Sequence, residues 1–291
     1  MDSALTSVFL PAALAVIMFG LGLGLTVADF RRVVVYPKAA FLALLCQIVV
    51  LPLVCFGLVL AFGLAPGLAV GMMLLAASPG GTSANLYSHL FGGDVALNVT
   101  LTAINSVLAV FTLPLVTNLA IAHFQGGSGR LGLQFDETAK VFLIILIPVA
   151  IGMAVRAGFE AFAARMEKPV KILSAVILLA VIVGAIVKEA ANLGGYIASV
   201  GLITLLFSVL SLTVGYWVPR LAGVGPRQAV ASCMEIGIHN STLAITVAIS
   251  LLGSTEIAIP AAVYGVLMFF TAAGAGVLLR RRTALDVEAP V

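Results

Sequence analysis

Within one long apolar stretch, Met234-Glu235-Ile236-Gly237-Ile238-His239-Asn240-Ser241 collects a carboxylate, an imidazole, an amide and a hydroxyl. Of the twelve acidic residues, Glu235 is the one placed well inside a candidate membrane span. A carboxylate at that depth is costly unless it has partners or a watery cavity. A second polar stretch, Ser78-Pro79-Gly80-Gly81-Thr82-Ser83-Ala84-Asn85, joins a missing amide donor, two flexible glycines and short polar side chains. Further on, Asn98 and Thr102 stand at i and i+4 and share a helix face. Amide, hydroxyl and carboxylate oxygens suit a small hard cation. Their chemistry is therefore ion binding at mid-membrane rather than bond breaking.

The elements that must position these residues follow from composition. Hydrophobic residues make up 62% of the 291 and charged residues 9%, with a mean hydropathy of +1.21. At ~20 residues per spanning helix the chain reads as an all-α polytopic membrane protein. It forms a single transmembrane domain with no room for a soluble catalytic or nucleic-acid-binding unit. Apolar runs place nine helices at 8–28, 38–63, 67–91, 94–122, 138–156, 170–188, 196–219, 228–251 and 258–280. The first is read as a span, not a signal peptide, because Asp2 leads it and Arg31 and Arg32 follow it. Residues 283–291 read as a disordered cytoplasmic tail. Cys46, Cys55 and Cys233 are scattered through apolar runs and are read as packing residues.

Lys and Arg are retained on the cytoplasmic side of a membrane. With nine spans, twelve of the fifteen fall on one side, and only Arg130, Lys140 and Lys188 on the other. This places the N-terminus outside and the C-terminus in the cytoplasm, as a multi-pass protein of the cell (inner) membrane. Each half of the run 67–91 is about eleven residues, too short to cross ~30 Å of hydrocarbon at ~1.5 Å per residue, so it reads as one interrupted span. The run 228–251 is the other interrupted span, five spans later and of opposite orientation. Two interrupted spans in oppositely oriented halves point to a secondary transporter built from inverted repeats. The first repeat lacks its leading helix.

These residues resemble the bile acid:sodium symporter family of organic-anion transporters over nearly the whole chain. The resemblance rests on Pro79-Gly80-Gly81-Thr82 followed by Asn85, and on Glu235-Ile236-Gly237 followed by Asn240-Ser241. Gln47 before Pro52 and Asn98-x-x-x-Thr102 support it. It implies one sodium among Asn85, Asn98, Thr102, Glu235 and the carbonyl of Ala84. It implies a second among Gln47, Glu235, His239 and the carbonyls of Ile236 and Ile238. Thr82, Ser83 and Asn240 would face the substrate. Spans 38–122 and 196–280 would form an ion-bearing core, and spans 8–28, 138–156 and 170–188 a panel.

The chain departs from the family at two ligand positions, where His239 replaces a Gln and Ala84 a common Ser. An imidazole is a poorer sodium ligand than an amide oxygen. His239 therefore has three readings: a satisfied buried hydrogen bond, a one-sodium carrier, or a proton in place of the second sodium. In the last span Leu267-Met268-Phe269 stands where bacterial relatives often have a polar His-Asn pair, which implies a more apolar pocket. The expected function is sodium-coupled import of an organic anion (bile acid, pantoate or keto-acid type) by alternating access. The alternative is a proton-coupled carrier or a related exporter. The expected partners are a small organic anion, sodium and the lipid bilayer, with no nucleic acid and no required protein partner. An intramembrane hydrolase is disfavoured because His239 and Ser241, two apart on one helix, point away from each other.

Overall fold

Backbone amides and carbonyls have no water to turn to in hydrocarbon, so each segment must satisfy them internally, and helices do this. The computed structural model describes residues 10–24, 26, 28, 32–126, 135–166, 168–170, 172–173, 176 and 193–288. Its principal helices are α1 (Leu10–Leu23), α2 (Pro37–Leu45), α3 (Leu51–Phe62), α4 (Pro66–Ala77), α5 (Thr82–Leu90), α6 (Val95–Phe124), α7 (Phe135–Gly158), α8 (Leu193–Leu221), α9 (Pro226–Gly237), α10 (Ser241–Ser250) and α11 (Thr255–Glu288). Among the described residues, Pro37–Phe62, Val95–Phe124, Ala198–Leu221 and Thr255–Arg280 are long and apolar enough to cross a membrane. The span expected at 170–188 lies, but for a few positions, outside the described residues. Where a tail is expected from residue 283, α11 instead runs on to Glu288. The stretch Arg280–Glu288 contains no glycine or proline, and Pro290 is the first breaker.

Both polar stretches break their helices where the sequence indicates. The first break falls between α4 and α5, at residues 78–81, and the second between α9 and α10, at residues 238–240. Each leading half, α4 and α9, begins with a proline in its first turn, where the missing amide costs nothing. A third irregularity separates α2 from α3. Cys46–Val50 forms one π turn, and Leu51 donates its amide to the Cys46 carbonyl. Pro52 follows immediately and offers no amide to the preceding turn, so a widened turn relieves the break. Gln47 is thereby carried into the interior.

The connections sort to two ends. At one, the Asp94 amide donates to the Arg227 carbonyl at 2.9 Å. Tyr36, Asp94 and Arg227 line one shallow cleft there. The Tyr36 hydroxyl hydrogen-bonds the Asp94 carboxylate, which raises the phenol above its ordinary pKa. Phe91 lies against Gly276, four residues before Arg280. At the opposite end, Phe56 of α3 packs on His123 and Phe124 at the close of α6. There Gly67, at the start of α4, lies against Glu256 at the start of α11. Lys38, Arg220, Arg227 and Arg280 all belong to the first end, so the charge bias has a geometric counterpart.

α1 packs on α7 through glycines, since a Cβ on Gly22 or Gly152 would enter the other helix's backbone. Small residues let spanning helices approach this closely. Leu23 contributes to a small apolar cluster with Ala163 and Val170, while Met18 of α1 and Val149 of α7 join the large core. All three cysteines are buried and free, and Cys55 and Cys233 donate to the carbonyls of Met72 and Leu212.

The two breaks cross one another as a single antiparallel bridge between Gly80 and His239. Gly81 donates its amide to the Ile238 carbonyl and Asn240 to the Pro79 carbonyl, both at 2.8 Å. Bonds from the flanking residues leave the backbone groups of Gly80 and His239 facing outward from the pair. On Gly80 this is also the side of the Glu235 carboxylate, into which a Cβ would project. Gly81 differs: its φ of −88° suits any residue, and a Cβ there would stand 3.4 Å from the nearest atom, the His239 carbonyl oxygen. Gly80→Ala is therefore expected to lower stability by about 1–3 kcal/mol, the usual cost of overpacking a filled site. Gly81→Ala should be neutral or slightly stabilising, and thermal unfolding of the two purified variants checks the contrast.

Candidate functional site

α6 carries the partners that Glu235 needs. Asn98, Thr102 and Asn105 occupy positions i, i+4 and i+7, which one helix face presents together. Asp94 starts that helix by accepting the Leu97 amide at 3.1 Å. Opposite them, α9 holds Glu235 one turn before its break, with the side chain fully buried. Asn98 Nδ2 donates to one carboxylate oxygen, Oε2, at 2.9 Å, and the Thr102 hydroxyl reaches the same atom at 2.6 Å. Asn105 Nδ2 donates to the other oxygen, Oε1, at 3.2 Å. Hydrogen bonds to a charged group contribute about 1.5–3 kcal/mol each, which offsets part of the cost of keeping the carboxylate out of water.

Each asparagine that donates a nitrogen leaves an oxygen behind. The amide oxygens of Asn98 and Asn105 are buried with no donor, as is that of Asn85 on α5. Leaving a buried acceptor unsatisfied costs about 1–3 kcal/mol. A small hard cation among such oxygens, beside a carboxylate, would remove that cost. Asn85 makes no hydrogen bond to Glu235; it reaches the site through α5, which packs on both α6 and α9. Ala84 is buried beside it and donates its amide to the Gly81 carbonyl.

The second group of sequence-selected residues also comes together, with different chemistry. Gln47 Nε2 donates to the Ser78 carbonyl at 2.9 Å and lies 3.4 Å from His239 Nδ1. His239 Nδ1 is itself 3.2 Å from the same Ser78 carbonyl. The imidazole stacks on Phe207, with centroids 5.5 Å apart, and meets Tyr264 edge-on at 5.3 Å. The Ile238 carbonyl accepts the Gly81 amide, and Ile236 is fully buried in the last turn of α9. Gln47 thus turns its nitrogen toward this group and leaves its oxygen buried without a donor.

The residues expected to face a substrate lie at the starts of α5 and α10. Thr82 opens α5, with Ser83 partly buried next to it. Asn240 caps α10 by accepting the Leu243 amide at 3.0 Å, leaving its own NH2 group to face outward. Ser241 turns its hydroxyl to the Met268 sulfur, and Tyr87 of α5 donates to the Phe269 carbonyl. Leu267-Met268-Phe269 therefore lies close to the start of α10 and to the latter half of α5. Ser241 and His239 have separate partners, so no nucleophile and base are paired here.

Asn105 was not picked out from the sequence. The signal for it was present, because it extends the Asn98 and Thr102 face by one further turn. Thr100 and Ser106 bond carbonyls of their own helix, and Ser208 bridges α8 to Thr271 of α11 at 2.6 Å.

Comparison with known proteins accords with this arrangement. The sodium bile acid symporter family matches residues 11–196, a stretch that includes Gln47, the first break, Asn98 and Thr102 and ends before α9. The rabbit (Oryctolagus cuniculus) ileal sodium/bile acid cotransporter is 28% identical over 246 residues, covering 84% of this chain and 70% of that protein. A probable sodium/metabolite cotransporter of Arabidopsis thaliana chloroplasts, BASS1, is 31% identical over 254 residues, covering 87% of this chain but only 62% of its own length. The Bacillus subtilis sodium-dependent transporter YocS is 26% identical over 261 residues, covering 89% and 79%. With two-thirds of its helical framework matched and the buried polar cluster in place, this multi-pass membrane chain belongs to the sodium bile acid symporter family, whose members are transporters and not enzymes.

Proposed function

We propose that the chain is a sodium-coupled symporter that brings a small or amphipathic organic anion into the cytoplasm by alternating access. The observation that carries this reading is the fully buried Glu235 carboxylate beside the donor-free amide oxygens of Asn98 and Asn105. The relatives' names, as sodium/bile acid and sodium/metabolite cotransporters, support the coupling ion and the class of cargo. In this reading nine helices span the bilayer, with the N-terminus outside and the basic end cytoplasmic. Glu235, Asn98 and Thr102 hold sodium, with Asn85 and the Ala84 carbonyl completing the shell. Thr82, Ser83 and Asn240 hold the anion at the starts of α5 and α10, where unpaired helix amides favour negative charge.

In this reading α1 and α7, which pack on each other through Gly22 and Gly152, belong to the panel. Charge explains the coupling. A carboxylate with one sodium is neutral, and a second cation is needed before a monoanion can cross as part of a neutral assembly. Neutral loading lowers the barrier to moving ions through a region of low dielectric.

The second candidate sodium position, formed by Gln47, Glu235, His239 and the carbonyls of Ile236 and Ile238, has a competing reading. His239 is held between two aromatic rings and against the Ser78 carbonyl, where it fills space a cation would need. This favours His239 as a structural substitute for the second ion; the wild-type chain then binds one sodium, and a neutral loaded assembly needs an added proton or an uncharged substrate.

Three outcomes follow. Sodium, and not potassium at equal ionic strength, should raise the thermal stability of the purified chain, by up to about 2.7 kcal/mol at a hundredfold excess over Kd. Glu235→Ala should remove both this stabilisation and sodium-driven uptake in proteoliposomes; uptake at the wild-type rate would end the proposal. His239→Gln, which returns an amide oxygen to the second position, should steepen the sodium dependence of uptake from one ion toward two. Stability that ignores sodium and follows pH would instead favour a proton-coupled carrier.

A further inference from the structure

A narrow crevice runs between the π turn and α6 beside the crossing, lined by Gln47, Pro52, Pro79, Asn105, Ala109 and Thr112. Its polar members are the amides of Gln47 and Asn105 and the hydroxyl of Thr112. Asn105 is the one lining residue that also touches the carboxylate, and it holds a different oxygen from the one held by Asn98 and Thr102. Its amide oxygen is buried and has no donor, although the residue is only 2% exposed. Along α6, Asn105, Ala109 and Thr112 form one stripe that climbs from Glu235 toward Phe124, away from the end that carries Lys38, Arg227 and Arg280.

We infer that this crevice is the entry path for the coupling cation, and that Asn105 is the ligand that hands it on to Glu235. The inference rests on the sodium reading of the Glu235 cluster. A cation arriving along the stripe exchanges water for the Thr112 hydroxyl and then for the Asn105 amide oxygen. Asn105 Nδ2 already holds carboxylate Oε1, so its oxygen stands next to the position where the ion must finish. No proton moves and no bond is made. The stripe points toward the face opposite the basic end, which the charge bias assigns to the outside, so an inward sodium gradient would load a path along it.

Three measurements on the full chain test this. Asn105→Ala should raise the sodium concentration for half-maximal uptake about tenfold, equivalent to ~1.4 kcal/mol, whatever its effect on the rate at saturating sodium. A merely structural asparagine would lower the maximal rate and leave the sodium requirement in place. Thr112→Cys should react with a membrane-impermeant thiol reagent added outside intact cells, and sodium, unlike potassium, should slow that reaction. The wild-type chain controls for background, since its three cysteines are buried. If Thr112→Cys fails to fold, Ala109→Cys takes its place in the same assay. An unchanged sodium requirement in Asn105→Ala, or labelling that is indifferent to sodium or confined to the cytoplasmic side, overturns the path. If sodium also fails to stabilise the wild-type chain, the fault lies with the sodium reading itself.

Discussion

A carboxylate buried among apolar helices must be surrounded by donors or neutralised, and that requirement at Glu235 organises the centre of this molecule. Three donors from α6 reach its two oxygens, and all three come from one face of that helix because they are spaced at i, i+4 and i+7. The same requirement limits what can stand across from α9. Gly80 must lack a Cβ, since the space next to its Cα is already filled by the carboxylate. Replacing Glu235 by an apolar residue would relieve the desolvation cost but leave the amide nitrogens of Asn98 and Asn105 unpaired, at about 1–3 kcal/mol each, while Thr102 can still donate to the Asn98 carbonyl. The charge and its shell therefore stand or fall together.

The crossing of the two broken helices meets a second requirement with few bonds. Unwound backbone is tolerated at membrane depth when it is buried in protein or lines a cavity. Here two backbone hydrogen bonds, from Gly81 and from Asn240, tie the breaks to each other. Asn240 then serves as the cap of α10, so one residue closes the crossing and starts the next helix. The π turn at Cys46–Val50 adds Gln47 to this crossing from a third direction.

The two sides of Glu235 have become chemically unequal. Toward α6 there are amide oxygens without donors, and toward the π turn there is an imidazole packed between Phe207 and Tyr264. Both sides are buried and polar, but the first offers the donor-free oxygens of Asn98 and Asn105, whereas on the second the donor-free oxygen of Gln47 shares its surroundings with an imidazole. Tyr264 adds to the rigidity of the second side by donating its hydroxyl to the Gly237 carbonyl, one of the groups freed where α9 ends. The inequality is thus built into packing as well as into ligand type.

Much of this was readable in the one-dimensional chain because membrane burial leaves strong marks. Hydropathy revealed the helices, and proline with paired glycines revealed the first break. A lone carboxylate inside an apolar run revealed the centre, and the positions of Lys and Arg anticipated the common end where Asp94 meets Arg227. Family resemblance added the selection of Gln47 and of the break carbonyls, which no local pattern singles out. Asn105 was missed although its spacing was visible, because an asparagine on a helix of mixed polarity has no distinguishing local signature. The span read at 258–280 corresponds to Thr255–Arg280, and α11 continues past it to Glu288, where a tail was expected, because no breaker intervenes before Pro290. What the sequence determined alone was where the helices lie, where they break and which groups must be satisfied. Which oxygen each donor holds, which amide oxygens stay free and what packs around His239 were decided only by tertiary structure, because they depend on distances between segments up to about two hundred residues apart, such as Gln47 and His239 with a separation of 192. Hydrogen bonding and ion binding are settled within a few tenths of an ångström, a scale that spacing along a chain does not specify.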